Sequence, residues 1–324
     1  TVITSGVDGL VRVFDLRSPS SSTPKSGGLC PAATEFRLPR SEEALSHSVG
    51  YGGALVAVGG SRGLVHFYDL RGGRGGLSGT ATQQPLGTYR DAHTEEVTRV
   101  RFQPSPSSGA GASTTSVLAT ASEDGLMHFF DTSRPNEELA LQSSCNLLCP
   151  LRDVTFFGPR LEGVLCLTGS ETAQAWHWDS AQRICDYGGE NLRGTLSQLS
   201  GGTPEFGVEY LAGAHWDHGR QELSLVGGNA RGNAAIFKMD VNDAQCKHRL
   251  RGGHRGCVRG MAWQAGRRLF TGGEDARLCE WTLDAISLTQ PSSSPSTAVP
   301  RRSAGGGGPT RRGKSKGSAT ASPY

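Results

Sequence analysis

The sequence predicts an all-β fold assembled from six copies of one hairpin module. Three observations carry this expectation. One motif recurs along the chain; each copy has the pattern of two short strands around a tight turn; and glycine fills 46 of 324 positions, about twice the ordinary usage of ~7%.

The recurrence is explicit. Thr1–Arg17 reads TVITSGVDGLVRVFDLR and Ser116–Asp131 reads SVLATASEDGLMHFFD, and the two align without a gap through Asp8-Gly9 and Asp124-Gly125. Ala265–Trp281 (AGRRLFTGGEDARLCEW) repeats the pattern, and weaker copies lie at Ala54–Arg71, Gly163–Ser180 and Glu222–Asp240. Each is an apolar run, a turn of small or polar residues, and a second run closing on an aromatic that is usually followed by Asp, the pattern of an antiparallel hairpin. Two copies show a preceding strand as well. Ala92-His93 leads into Val97–Phe102, and Gly253-His254 leads into Val258–Trp263. A unit that cannot bury its own apolar face must stack on copies of itself.

Repeat ends near Asp15, Asp69, Asp131, Asp179, Lys238 and Trp281 are spaced by 54, 62, 48, 59 and 43 residues. Inserts rich in Gly, Ser and Pro near 18–28, 72–80 and 104–115 account for the longer steps and read as disordered loops. The expected organisation is a repeat domain over 1–286 and a disordered basic tail over 287–324. With Thr1 already inside a strand pattern, the chain is expected to be a fragment that lacks its amino-terminal portion.

Charge narrows the function classes. The net charge of +3 comes from Arg301, Arg302, Arg311, Arg312, Lys314 and Lys316, in a tail with no acidic residue after Asp284; the rest carries 27 basic against 30 acidic residues. Such a body lacks the sustained positive field that phosphate backbones require, so nucleic acid is expected only at the tail, if anywhere. Arg311, Arg312, Lys314 and Lys316 resemble a short nuclear-import signal, and the expected compartment is nuclear and/or cytoplasmic. No apolar run is long enough for a membrane helix. The eight cysteines read as reduced, buried thiols. Cys145 and Cys149 form the single close pair without the spacing of a zinc site, so neither metal nor cofactor is expected.

The repeated units resemble the WD-repeat family. That resemblance implies a seven-bladed β-propeller whose amino-terminal blade is missing or incomplete here. In the family, His, Ser/Thr, Asp and Trp of one blade form a buried relay. By position, His254, Thr271, Asp275 and Trp281 hold all four places; His93, Thr120 and Asp124 hold three, with Phe130 in place of Trp; and Thr4, Asp8 and Phe14 are the counterparts in the first copy. Val58 and Arg62 replace Thr and Asp in the second copy, Thr172 replaces Asp in the fourth, and the fifth lacks the Asp. Several stretches outside the repeat motif, among them LGTYRDAHTEEVTRVRFQP, NEELALQSSCN and GGHRGCVRGMAWQ, also follow in order one branch of the family.

The function implied is a non-catalytic scaffold for other proteins. His93 and His254 occupy repeated framework positions, which favours a structural role over that of catalytic base. Neither a G-x-S-x-G elbow nor a Walker loop occurs, and Gly227, Gly228 and Gly232 belong to a hairpin with no helix behind it. A propeller enzyme, the alternative, would gather acids, bases or metal ligands at its axis. A narrower reading comes from Phe14-Asp15-Leu16-Arg17 and Tyr68-Asp69-Leu70-Arg71. These resemble the W-D-x-R element of propellers that dock on the damaged-DNA-binding adaptor of cullin-RING ubiquitin ligases, with Asp15, Arg17, Asp69 and Arg71 as the docking residues.

Overall fold

The computed structural model describes residues 2–15, 32, 34–71, 84–105, 116–241, 243–264 and 268–283. The chain divides into two units, Thr1–Ile286 and Ser287–Tyr324, the second lying outside the described residues.

Each predicted hairpin forms the centre of one antiparallel sheet, and the sheets follow one another in chain order. Sheet one holds β1 (Val2–Ser5), β2 (Leu10–Phe14) and β3 (Thr34–Arg37); sheet two holds β4 (Ala44–Gly50), β5 (Leu55–Gly60), β6 (Val65–Asp69) and β7 (Gly87–Tyr89). Sheet three holds β8 (Arg99–Phe102), β9 (Val117–Ala121), β10 (Leu126–Asp131) and β11 (Leu141–Asn146). Sheet four holds β12 (Leu151–Phe157), β13 (Gly163–Thr168), β14 (Ala173–His177) and β15 (Gln182–Asp186). Sheet five holds β16 (Tyr210–Asp217), β17 (Glu222–Gly228), β18 (Ala234–Met239) and β19 (Ala244–Leu250), and sheet six holds β20 (Val258–Gln264), β21 (Arg268–Gly273) and β22 (Leu278–Thr282). Strands β4, β8, β12, β16 and β20 touch one another in succession and line the shared axis.

The described sheets number six, not the seven expected. Seven came from the family resemblance; the residues themselves show six hairpins, and each made one sheet. No contact like those between successive sheets joins sheet six to sheet one among the described residues.

Five apolar clusters fill the five spaces between successive sheets, and the two-residue period of a strand sends neighbouring side chains into different spaces. Val56 packs toward sheet one with Val11 and Phe36, while Ala57 packs toward sheet three with Val100 and Phe130. Phe129 meets Val154 and Phe156 of sheet four, Leu225 meets Leu165 of sheet four, and Val226 meets Leu269 of sheet six. A sheet buried on both faces needs apolar residues at odd and even positions. That is why β13 reads as a continuous run, GVLCLT, buried along its whole length. Each large side chain so buried stabilises the fold by about 1.5–3 kcal/mol. The end strands lack this enclosure: β1 and β22 alternate between exposed and half-buried residues.

Two short helices were not expected. α1 (Glu137–Ala140) starts at Asn136, whose side chain accepts from Leu139 N at 2.9 Å. α2 (Leu192–Leu199) links sheets four and five and buries Leu192 and Leu196, four residues apart and so on one face, in the cluster between those sheets. The inserts at 18–28 and 72–80 lie outside the described residues, as does all of the third beyond Ser105.

Candidate functional site

The polar positions singled out by the repeat come together at the inner end of the hairpins, where a turn of one sheet meets the loop leading into the axial strand of the next. Gly63, in the β5–β6 turn, has φ 77°, and a Cβ there would stand 2.6 Å from His93 O. Gly232, in the β17–β18 turn, would put a Cβ 2.4 Å from His254 O. Gly9 makes the same approach to Glu42 O at 2.5 Å. The loop position holding His93 and His254 is therefore held in place by the preceding sheet.

Sheet six carries a continuous relay. Trp281 Nε1 donates to Thr271 Oγ1 at 2.8 Å, Thr271 Oγ1 lies 2.8 Å from His254 Nε2, and His254 Nδ1 lies 3.0 Å from Asp275 Oδ1. One tautomer satisfies the whole chain: Nδ1–H donates to the carboxylate and Nε2 accepts from the threonine hydroxyl. Asp275 also accepts from Arg255 N and Arg277 N. Burial works against its ionisation, but the His254 and backbone donors outweigh it and hold the carboxyl at about 2.

In sheet three, His93 Nε2 lies 2.8 Å from Thr120 Oγ1 and Nδ1 lies 3.1 Å from Asp124 Oδ2, while Thr94 N and Leu126 N donate to the same carboxylate. Phe130 cannot donate to Thr120; its ring is fully buried and packs on Tyr89 with centroids 4.7 Å apart. The His128 ring lies 4.6 Å from that of His93. Burial, reinforced by the neighbouring His128, lowers the His93 pKa to about 4.

Sheet one departs from the expected relay. Thr4 and Asp8 are exposed, Phe14 is half-buried, and Asp8 accepts from Arg12, four residues on, at 2.9 Å and from Leu10 N. No histidine reaches Asp8 among the described residues, so its carboxylate is satisfied by a surface cation instead. The Arg12 hydrogen bond leads the causes that hold its pKa below the usual value.

Sheet two holds a polar centre that the repeat alignment missed. Glu42 occupies the loop position of His93 and His254, and its carboxylate meets His66 Nε2 at 2.9 Å and Arg62 N at 3.0 Å, with His66 Nδ1 3.1 Å from Thr88 Oγ1. A Cβ on Gly60 would fall on the Glu42 carboxylate, so the acid fills space that a larger residue would occupy. Sheet four replaces the pair by Thr168 and Thr172, whose hydroxyls are 2.7 Å apart. In sheet five Asn229 takes the place of the acid: its Oδ1 accepts from Arg231 N and Asn233 N, and its Nδ2 donates to Glu205 O. For sheets four and five the sequence signal was the hairpin turn, since Thr172 and Asn229 stand at the turns between β13 and β14 and between β17 and β18.

Along the axis, Arg99 and Arg101 reach Asp153 at 2.9 and 3.3 Å, and Arg152 pairs with Glu171 at 2.8 Å while also donating to Leu211 O. These contacts tie β8, β12 and β16 together. Asp69 accepts from Arg71 N at 2.8 Å and from Arg71 Nε at 3.3 Å, and the arginine remains three-quarters exposed. Arg17 lies outside the described residues, while Asp15 directly follows β2. Arg311, Arg312, Lys314 and Lys316 also lie outside them. The seven described cysteines are free, with Cys145, Cys166 and Cys246 buried. No cluster of three or more metal-binding side chains occurs among the described residues.

Comparison with known proteins assigns one of these relays to a family repeat. The model of the WD domain, G-beta repeat, matches residues 83–131, the stretch that forms most of sheet three and its His93–Thr120–Asp124 relay. The chain carries a WD repeat and is similar to WD-repeat proteins. It is 26% identical over 237 residues to the WD repeat-containing protein 89 homolog of Dictyostelium discoideum, covering 72% of this chain and 59% of the relative. To WD repeat-containing protein GTS1 of Arabidopsis thaliana it is 26% identical over 291 residues, covering 86% of this chain and 65% of the relative. The chain thus spans less than two thirds of either relative.

Proposed function

We propose that this WD-repeat propeller is a non-catalytic scaffold that binds other proteins. The observation that carries the reading is the engagement of both candidate catalytic histidines. His93 and His254 each have both ring nitrogens committed to a framework hydrogen bond, and both residues are only 4% exposed. A general base must reach a substrate proton; these rings reach only their own sheet. Stiff stacked sheets leave the loops as the variable, presentable surface.

Affinity purification of the full chain tests this directly. A protein recovered in a stable ratio across salt washes is the expected result, and recovery of nothing beyond a tag control would end the scaffold reading.

The adaptor-docking reading is narrower. Exposed Arg71 beside Asp69 supports it, because the guanidinium is reachable from solvent while paired with the acid. Arg17→Ala combined with Arg71→Ala is expected to abolish co-purification with the damaged-DNA-binding adaptor, and unchanged recovery would exclude it. We also propose nuclear entry through Arg311, Arg312, Lys314 and Lys316; a reporter fused to residues 290–324 that stays cytoplasmic would count against this.

A further inference from the structure

We propose that the cleft between the trailing ends of β16 and β20 is a binding site for a carboxylate side chain carried on an acidic peptide segment of a partner protein. This rests on the scaffold reading above and says where one partner is held and by what chemistry.

The cleft has a volume of 620 Å³ and lies between sheets five and six, within the range of pre-formed ligand sites of about 300–1,000 Å³. Trp216 and Trp263, one on each axial strand, contribute to its wall. Their indole Nε1 atoms are buried, and neither has an acceptor among the described residues. Buried donors are almost always paired, and an orphan costs about 1–3 kcal/mol, so two on residues that line one cleft point to an acceptor supplied from outside the chain. The neighbouring ring is set as well: His215 stacks on Trp263 with centroids 4.8 Å apart and planes 7° from parallel. Burial, followed by the charge of Arg101, lowers the His215 pKa, although Asp217 opposes this; the ring faces the cleft uncharged near neutral pH.

Charge selects the acceptor. The two acids in the lining are already engaged, Asp217 with Arg220 and Glu222 with Lys238, each at 3.8 Å. Lys247, also in the lining, has no acidic partner among the described residues. One unspent cation and two unspent neutral donors suit a carboxylate, which accepts at both oxygens.

Extent selects a peptide over a small acid. A second cavity of 240 Å³ adjoins the first, shares His215, Trp216 and His218 with it, and continues to Arg101 and Thr155. A chain whose acidic side chain enters the larger cavity can run on along the smaller one. Nucleic acid is disfavoured, because the repeat body carries no excess of basic residues.

The test uses the full chain on an array of short peptides with randomised flanks, in matched sets bearing central Glu or central Gln. The expected result is at least about tenfold tighter binding to the Glu set, lost in the triple variant Trp216→Phe, Trp263→Phe and Lys247→Gln. Phenylalanine keeps the ring and deletes only the donor, so these variants are expected to fold, which melting temperature verifies. Equal retention of the Glu and Gln sets, or undiminished binding by a folded triple variant, overturns the proposal. Partner recovery from the affinity purification separates this from the scaffold reading. Partners retained without any acid preference would sink the cleft alone; an absence of partners with the acid preference intact would sink the scaffold reading alone.

Discussion

Glu42 and His66 form the polar centre of sheet two with acid and imidazole in exchanged places. The carboxylate comes from the loop that carries His254 in sheet six, the imidazole from a strand, and the two meet at 2.9 Å with each side chain no more than 2% exposed. Removing one partner leaves the other buried and unsatisfied. Glu42→Ala is therefore expected to lower stability by about 3 kcal/mol, and urea unfolding of the full chain measures it. A paired replacement by apolar residues of similar volume should recover most of the loss. If Glu42→Ala alone is silent, the pair does not hold the sheet.

Trp281 and Phe130 hold corresponding places, but only Trp281 donates to its threonine. Trp281→Phe should cost about 1 kcal/mol for the lost hydrogen bond. Thr271→Val should cost more, because it deprives both Trp281 Nε1 and His254 Nε2 of a partner while preserving shape. Equal losses in the two variants would show that the threonine hydroxyl is not the hub of the relay.

The fold was legible because every hairpin has the same local chemistry: an apolar run, a turn, and an aromatic close. The relays in sheets three and six were legible for the same reason, since each has a Gly/Ala-His pair before its axial strand and an Asp in its hairpin turn, 31 residues apart in sheet three and 21 in sheet six. Glu42 was hidden because function had moved between positions; a search for His in the loop and Asp in the turn cannot find the reverse. In sheet one Asp8 takes Arg12 as its partner, a contact that motif spacing does not foretell. The cleft at Trp216 and Trp263 belongs to two different repeats, and its members are neighbours only after the sheets pack.

Ala276 occupies the turn position that Gly9, Gly125 and Gly232 fill elsewhere, and it is held at φ 58°. Left-handed backbone is costly for a residue with a Cβ, by roughly 1–2 kcal/mol, whereas glycine's greater freedom when unfolded offsets part of the gain. Ala276→Gly should raise stability by about 0.5–1 kcal/mol. Thermal unfolding reads the change, and a lower melting temperature would mean that the methyl group makes contacts worth more than the strain.

Acid should loosen the fold in two stages, with histidines acting first. In the unfolded chain His93 titrates near its ordinary value of 6.5, but in the fold burial and His128 lower it to about 4, against the opposing pull of Asp124. Between those values the unfolded chain binds a proton that the folded chain refuses, so stability falls as pH drops from about 6.5 to about 4, by up to about 3 kcal/mol for this one group. His47, His128 and His215 are lowered by burial too and add loss of the same sign. The second stage belongs to the acids. Burial opposes ionisation of Asp275, yet its donors lower the pKa from 3.8 to about 2, so its contribution is present above the ordinary value and disappears as pH falls through that interval. Urea midpoints across this range should stay level from about pH 8 to 7 and then decline, with His93→Gln flattening the first part of the slope relative to the unaltered chain. A midpoint that holds steady down to about pH 4 would show that His93 is protonated in the fold as easily as out of it, and the neutral tautomer assigned to the sheet-three relay would then be wrong.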